Sequence, residues 1–300
     1  MLLPIGYHAT VAVSKHYTRL ASLTRIPVAP YGSLRIAAHK DATMAFAAQY
    51  GVRTPKTYRA AADVDAFPVV VKGTTESRGL RYVNSPEELA RRDLAGAVVQ
   101  EYVPGVGYGF YALYCRGEPR SCFMHRRIRE YPITGGPSTA AESLYDERLR
   151  ELGQRLLTAL QWHGVAMVEF KRDARDGEYT LMEINPKFWG SLDLSLACGV
   201  DFPYRAIRMA MDGDIERDET YRVGVRYHWL FPDEVLHVAS NPRATLPVLR
   251  DCFNSSVRGN IDWRDPGPTL FQVGMTAVKL ISRAFTGSLR RPHGTPRARS

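Results

Sequence analysis

Two apolar runs on either side of a short polar turn constrain the fold of this chain more than any other feature. Residues 165–171 and 179–185 are rich in β-branched and aromatic side chains, and residues 173–177 between them combine two aspartates with a glycine. Apolar segments joined by such a turn are typical of antiparallel pairing. The sequence therefore predicts a β-hairpin over this stretch.

This hairpin brings oxygen-bearing side chains together. Glu183 and Asn185 are two residues apart in one strand, so they share a face of the sheet. If Lys171 pairs with Tyr179, then Glu169 in the first strand lies on that same face, whereas a slip of one residue would move it to the other face. In the first register, two carboxylates and an amide oxygen converge on one point.

Two interpretations of this cluster remain open from the residues alone. Adjacent carboxylates repel each other and lose hydration unless a cation lies between them, and a set of hard oxygen ligands suits Mg²⁺ or Mn²⁺. Alternatively, Glu169 and Glu183 lie on a solvated face, and their neighbours Val168, Phe170 and Ile184 form the core. The first interpretation predicts a metal site, and the second predicts only an exposed sheet surface.

A lysine that ends an apolar strand is a second candidate. Residues 67–71 are mostly apolar and β-branched, and Lys72 follows them directly. This lysine is either a solvated strand end or a positive charge placed on a phosphate. The loop 73–79 is not a Walker A loop. It does carry hydroxyl groups that could close over a triphosphate, at Thr74, Thr75 and Ser77.

The composition excludes several classes of protein. With 300 residues, 45% of them hydrophobic, the chain can bury a sizeable core and is not disordered as a whole. The four cysteines show neither disulfide nor zinc spacing, which is typical of a protein from a reducing cytoplasm. Since no apolar run reaches about 18 residues, no membrane-spanning helix is expected.

The net charge of +9 is concentrated in part at the C-terminus. The arginines there alternate with proline and glycine, which predicts a disordered basic tail, with an arm that binds polyanions as the alternative. Residues 270–285 just before it have helical apolar periodicity together with Lys279 and Arg283. They form either a helix packed on the protein or a helix that lies on an anionic membrane. No specific nucleic-acid partner is expected.

Helical segments and mainly antiparallel strands share the chain, which predicts an α+β protein. In chain order, its short motifs resemble the ATP-grasp superfamily, in particular the carbamoyl-phosphate-synthetase-like and biotin-carboxylase-like branch of carboxylate–amine ligases. The resemblance covers about residues 40–213. Its motifs are Lys40, Lys72, residues 100–103, Glu169, and Glu183 with Asn185. It implies an ATP-grasp fold, in which two α/β lobes clasp ATP.

The resemblance also implies the role of each residue. The expected ATP contacts are Lys40, Lys72, Thr74, Thr75, Ser77 and the hinge residues Gln100, Glu101, Tyr102 and Val103. The expected ligands of two Mg²⁺ (or Mn²⁺) ions are Glu169, Glu183 and Asn185. The expected catalytic residues, which would steady the transferring group or bind an anionic substrate, are Lys187, Arg127 and Arg129. Lys187 lies where relatives commonly carry an arginine, and Gly107 lies where several carry an acidic residue for the ribose.

The implied domain organisation has three parts. Residues 1–39 form a shortened segment ahead of the ATP-grasp domain, with a strand-like start and then a helix. Residues 40–220 form the ATP-grasp domain, divided into a small lid lobe at about 53–103 and a large lobe at about 104–220. Residues 221–300 form a C-terminal extension that ends in the basic tail. Three explanations of the short N-terminal segment stay open: a natural truncation, a wrongly assigned start, or completion by a second copy or a partner subunit.

The function implied by the resemblance is ATP-dependent ligation of a small carboxylate to an amine through an acyl phosphate. The first alternative is a non-catalytic or regulatory ATP-binding protein of the same fold. The second alternative, suggested by the net charge, is a protein that binds polyanions or a membrane surface.

Overall fold

The computed structural model describes residues 1–74, 80–133, 135–286 and 295–297. Its α-helices are α1 (Tyr7–Lys15), α2 (Tyr17–Ala21), α3 (Tyr31–Ala38), α4 (Lys40–Gln49), α5 (Pro86–Ala90), α6 (Glu147–Ala159), α7 (Leu192–Cys198), α8 (Phe202–Asp212), α9 (Val235–Ser240), α10 (Thr245–Cys252) and α11 (Pro266–Phe285). Its strands are β1 (Thr57–Tyr58), β2 (Val69–Gly73), β3 (Arg81–Val83), β4 (Ala97–Glu101), β5 (Gly105–Cys115), β6 (Glu118–Glu130), β7 (Ser138–Ser143), β8 (Gly164–Asp173), β9 (Tyr179–Asn185), β10 (Arg226–His228) and β11 (Val257–Gly259).

The N-terminal part is helical from Tyr7 onward. The expected strand-like start is wrong, because residues 1–6 pair with no strand among the described residues, and α1 to α3 follow. Leu34 and Met44 of α3 and α4 enter the main core beside β9. The helix predicted from Asp41 is present as α4, and Gly51 just beyond it has the positive φ of a helix C-terminus. That residues 1–39 are a truncated domain stays a prediction.

Two mainly antiparallel sheets face each other across a cleft. The smaller sheet has the order β1-β4-β2-β3, and its core includes Val69, Val83 and Leu89. Ser85 begins α5, because its side chain accepts a hydrogen bond from the Glu88 amide. This sheet occupies the segment expected to form the lid lobe.

The larger sheet has seven strands in the order β11-β10-β7-β6-β5-β8-β9. All neighbouring pairs are antiparallel except β10 and β11. One face packs against α3, α4 and α6 through residues such as Phe110, Leu152 and Phe170. The other face packs against α7 and α8 around Tyr111, Trp189 and Phe202, and the rest of that face stays open to the cleft.

The hairpin of β8 and β9 has a different register from the predicted one. Lys171 pairs with Thr180 rather than with Tyr179, a slip of one residue. Within the hairpin, the observed register also shifts by one residue between Phe170 and Glu169, because Met182 of β9 has no partner in β8. This β-bulge restores the alternation, so that Glu169 lies directly opposite Glu183. The expected common face is therefore present, although the register that led to it is wrong.

The larger sheet continues beyond residue 220. β10 pairs with β7, and β11 pairs with β10, so residues expected in a C-terminal extension complete the sheet. α11 then crosses near residues 230–234. The predicted basic tail lies mostly outside the described residues. No helix among the described residues is long and apolar enough to cross a membrane.

Candidate functional site

A cavity of about 470 Å³ lies in the cleft between the two sheets. The small sheet and the hinge contribute Lys72, Tyr82 and residues 100–103, and α4 contributes Lys40. The open face of the large sheet contributes Tyr111, Arg127, Met167, Glu169, Lys171, Glu183 and Asn185. Thus motif residues from Lys40 to Asn185, which are far apart in the sequence, line one cavity.

Glu169 and Glu183 form a carboxylate pair on the floor of this cavity. Arg127 Nη2 lies 2.7 Å from Glu169 Oε2, and Lys40 Nζ lies 3.7 Å from Glu183 Oε2. Asn185 Nδ2 donates a hydrogen bond of 2.8 Å to Glu183 Oε1. The predicted cluster is therefore assembled, and its carboxylates face cations rather than open solvent.

The pKa values of the two carboxyl groups are shifted in opposite directions. Burial raises the pKa of Glu169, and the neighbouring Glu183 adds to this rise, while Arg127 opposes it. Burial alone would also raise the pKa of Glu183, but Lys40, the hydrogen bond from Asn185, and Lys72 together hold it below its usual value. Two close carboxylates with separated pKa values are typical of functional sites.

Lys72 and Lys40 bring two positive charges to the cavity from two different elements. Lys72 is placed by β2, and Lys40 begins α4, whose first amide donates to the Thr74 carbonyl at 3.0 Å. Burial and the nearby Lys40 lower the pKa of Lys72 to about 8. Two partly buried cations that line one cavity favour the binding of an anion there.

The hinge segment offers polar groups at the edge of the cavity. The Glu101 amide donates to the Lys56 carbonyl at 2.9 Å, so a ligand contact from the Glu101 backbone would use its carbonyl. Gln100 Nε2 donates to Thr57 at 2.8 Å, while its Oε1 is buried with no hydrogen-bond partner among the described residues. An unpaired buried acceptor beside a cavity is a place for a ligand N–H group.

Lys171 is a residue of the site that the sequence did not single out. Its Nζ donates to the Val103 carbonyl at 3.1 Å and lies 5.3 Å from the centre of the Tyr102 ring. This lysine therefore ties the large sheet to the hinge. In the sequence, Lys171 lies at the end of a predicted strand, where a lysine is usually exposed to solvent. The only signal was its parity with Glu169, two residues earlier.

Gly107 makes room for Arg127. A Cβ atom at Gly107 would lie 2.8 Å from Arg127 Cδ, closer than such contacts come, so a larger residue here would displace the guanidinium. The position expected to carry an acidic ribose contact in relatives is therefore used differently in this chain. The absence of a side chain lets Arg127 reach Glu169 across the sheet face.

Arg129 does not lie in the cavity, which corrects the expected catalytic role. Ile128 is an extra residue in β6, so the register shifts between Arg127 and Arg129 and the two side chains leave on opposite faces. Arg129 instead forms ion pairs of 2.8 Å with Glu234 and 2.5 Å with Asp251, both buried. It ties β6 to the segment after β10 and to α10.

The remaining predicted residues fall in three places. Lys187 lines the cavity beyond the end of β9. Thr74 lies at the end of β2, where its carbonyl accepts the hydrogen bond from Lys40. Thr75 and Ser77 lie outside the described residues.

A buried polar triad under the cavity was also missed. Tyr111 Oη and Ser191 Oγ lie 2.5 Å and 2.8 Å from His125 Nε2, and both residues line the cavity. Burial and the nearby Arg127 lower the pKa of His125 to about 3, so the ring is neutral at physiological pH. The three residues are far apart in sequence and show no common spacing, so no pattern signalled them.

The chemistry of this donor set fits a magnesium nucleotide. Glu169, Glu183 and Asn185 supply hard oxygen atoms on one face, and Lys40 and Lys72 supply charge for phosphates beside them. Two protein carboxylates with space for phosphate oxygens suit Mg²⁺ better than a closed protein cage would. The described residues contain no cluster of three or more His, Cys, Asp or Glu side chains that could hold a metal without such outside ligands.

Comparisons with known proteins agree with this architecture. The family model described as "ATP-grasp in the biosynthetic pathway with Ter operon" matches residues 94–231. The biotin carboxylase domain of Hydrogenobacter thermophilus 2-oxoglutarate carboxylase, solved as a dimer with MgADP, ADP and bicarbonate, superposes with a TM-score of 0.60 at 16% identity. That match covers 74% of this chain and 56% of the other. The chain therefore has the ATP-grasp fold, and the family-model match over residues 94–231 confirms the resemblance to ATP-grasp proteins seen in its motifs.

Two ligases are also among its similar proteins. The L-amino acid ligase of Bacillus licheniformis has a TM-score of 0.55 at 20% identity, over 69% of this chain and 54% of that one. D-alanine–D-alanine ligase of Fusobacterium nucleatum is 37% identical over 70 residues, which cover 22% of this chain and 24% of that protein. The chain thus matches about a quarter of the length of this curated relative.

Proposed function

We propose that this protein is an ATP-dependent ligase that joins a small carboxylate to an amine through an acyl phosphate. The observation that carries the proposal is the meeting of Glu169, Glu183 and Asn185 with Lys40 and Lys72 in one cavity between two sheets. Similarity to two amino-acid ligases supports the reaction class. The substrates of both ligases are amino acids, which carry a carboxyl group. Bicarbonate is bound in a structural neighbour, so it is included among the acids to be tested.

In the proposed reaction, an oxygen of the substrate carboxylate attacks the γ-phosphorus of ATP. The bond from the γ-phosphorus to the bridging oxygen breaks, and ADP leaves. The amine nitrogen then attacks the carbonyl carbon, phosphate departs, and the nitrogen gives up a proton. Phosphoryl transfer of this kind depends on positioning and on neutralising charge rather than on covalent help from the protein.

Each residue has a part in this scheme. Glu169, Glu183 and Asn185 would hold Mg²⁺, which neutralises phosphate charge when bound. Lys40 and Lys72 would bind the phosphate oxygens of ATP. Arg127 and Lys187, which both line the cavity, would steady the transferred phosphoryl group or the substrate carboxylate.

The adenine end of ATP would lie at the hinge. The Glu101 carbonyl and the Val103 backbone would contact the edge of the base, and the unpaired Gln100 Oε1 offers a further acceptor. Lys171, held at the Val103 carbonyl, would keep the hinge in place over the large sheet. Thr74, Thr75 and Ser77, which follow β2 in the sequence, would contact the phosphates.

The test is ADP production by the full chain with Mg²⁺ and ATP, screened over amino acids, other small acids including bicarbonate, and amines. We expect one acid and amine pair to stimulate ADP release and to yield an amide or a carboxylated amine. Glu183→Gln should lower the stimulated rate by about 100-fold or more, since a metal ligand is lost. The matched control Glu178→Gln, at an exposed position in the turn of the same hairpin, should keep the wild-type rate.

A regulatory ATP-binding protein is the second candidate. The ion pair of 2.7 Å between Arg127 and Glu169 favours it, because an arginine already neutralises one of the two carboxylates expected to hold metal. Under this alternative, the protein binds ATP, but no acid or amine stimulates ADP release. Equal rates for wild-type protein and Glu183→Gln would contradict the ligase proposal.

A further inference from the structure

The longest helix, α11, turns its polar side toward the protein. Its fully buried residues are Thr269 and Thr276. Gln272 accepts a hydrogen bond of 2.9 Å from an asparagine side chain just after β11, and Arg283 stacks over the Tyr131 ring at 4.8 Å. A surface helix of a globular protein normally has the reverse arrangement, with its apolar side inward.

The apolar side of α11 faces outward. Phe271, Ile281 and Phe285 are 70%, 59% and 88% exposed, and Leu270, Val273 and Val278 are exposed with them. These positions recur at helical spacing, and no Asp, Glu, Lys or Arg interrupts the side that they form. Trp263, just ahead of the helix, is 83% exposed. Such a continuous exposed apolar surface marks a place of contact with something else.

The charge of this region indicates what the contact is. From Pro266 to the end of the chain there are six basic residues and no acidic ones: Lys279, Arg283, Arg290, Arg291, Arg297 and Arg299. A second copy docked through α11 would bring two such segments together, and like charges oppose this. An anionic lipid surface instead complements the charge and accepts the apolar side chains, with an exposed tryptophan at the boundary.

We propose that α11 is a peripheral membrane-binding helix, which lies in the surface of an anionic bilayer with Phe271, Ile281 and Phe285 inserted among the acyl chains. The body of the protein then stays outside the bilayer, held against the polar side of the helix. This inference does not depend on the proposed ligase activity, because α11 lines no part of the cavity between the sheets.

The experiment is co-sedimentation of the full chain with two kinds of vesicle, one of phosphatidylcholine alone and one of phosphatidylcholine with about 30% phosphatidylglycerol. The buffer has about physiological ionic strength. We expect binding to the anionic vesicles that exceeds binding to the neutral ones by about tenfold or more. The double variant Phe271→Asp, Ile281→Asp should lose at least about tenfold in affinity, since two inserted side chains are replaced by charges. The control Leu23→Asp, at a site 78% exposed after α2, should bind like the wild type.

A second measurement needs no variant. Trp162, Trp189 and Trp229 are buried, so brominated lipid tails should quench chiefly the fluorescence of Trp263 when the wild type binds. Failure of the wild type to bind anionic vesicles, or unchanged binding by the double variant, overturns the proposal. It is also overturned if sedimentation equilibrium shows a dimer that the double variant dissociates while vesicles bind neither protein, since the face would then join two copies.

Discussion

Single extra residues in β9 and β6 decide which side chains reach the cavity. The extra residue Met182 gives no local signal, and it happened to restore the parity that a one-residue slip had removed. In β6, Ile128 does the opposite and turns Arg129 away from Arg127. A bulge is decided by packing on both faces of a sheet, so a single sequence does not reveal it.

Lys72 gives the first prediction. Burial and Lys40 lower its pKa to about 8, so above that pH the folded free protein loses a proton that the unfolded chain keeps until its ordinary value of 10.5. Stability from this group therefore rises with pH between these values, because the unfolded state binds more protons. Nucleotide binding has the opposite dependence, since it needs the charged lysine. We expect the affinity for ATP to fall above about pH 8, by at most tenfold per pH unit.

Titration calorimetry from pH 7 to 9.5 measures this dependence. Lys72→Arg is the matched control, because a guanidinium stays charged throughout the range. Its affinity should be nearly constant with pH, whatever its value at pH 7. A wild-type affinity that is flat across the range would show that Lys72 keeps its proton or does not touch the nucleotide.

Contacts of β6 and β7 with the segment after β10 show how elements outside the predicted ATP-grasp segment support it. Arg129 joins β6 to Glu234 and Asp251, and Thr139 of β7 donates a further hydrogen bond of 2.5 Å to Glu234. Hydrophobic periodicity located the long strands well, because they bury one face each. It did not reveal the three-residue strands β10 and β11, which are too short to show a periodicity and join the sheet through backbone pairing.

Arg129→Met should therefore destabilise the protein without altering the chemistry of the cavity. Removal of the arginine leaves the Glu234 and Asp251 carboxylates buried without their main partner, which costs roughly 3–5 kcal/mol of unfolding free energy. Urea unfolding measures this loss. Arg126→Met is the matched control three positions earlier in β6, where the partner Glu142 and the arginine are more exposed, and it should cost less than about 1 kcal/mol. A normal stability with a lost turnover would instead restore Arg129 to the catalytic residues.

Contacts that join the two lobes lie around the cleft in which the proposed ligand would bind. Lys171 reaches the Val103 carbonyl, the Lys40 amide reaches the Thr74 carbonyl, and Arg175 lies 3.3 Å from Glu101. The division into two lobes was implied by the resemblance to ATP-grasp proteins. Their contacts did not follow, since they join residues that are distant in the chain and have no shared pattern.

A nucleotide that bridges these sheets should stabilise the whole molecule. At a MgADP concentration of about 100 times its dissociation constant, the gain is about 2.7 kcal/mol, or roughly 5 °C in the unfolding temperature of a domain this large. The shift depends on the lysines of both lobes, because each neutralises phosphate charge from its own side of the cleft. Differential scanning calorimetry of Lys40→Met, Lys72→Met should thus show almost no shift under the same conditions, while Lys15→Met, an exposed lysine of α1, should show the full shift. An undiminished shift in the double variant would mean that the nucleotide binds away from the cleft. The cluster of Glu169, Glu183 and the two lysines would then bind a ligand other than the nucleotide.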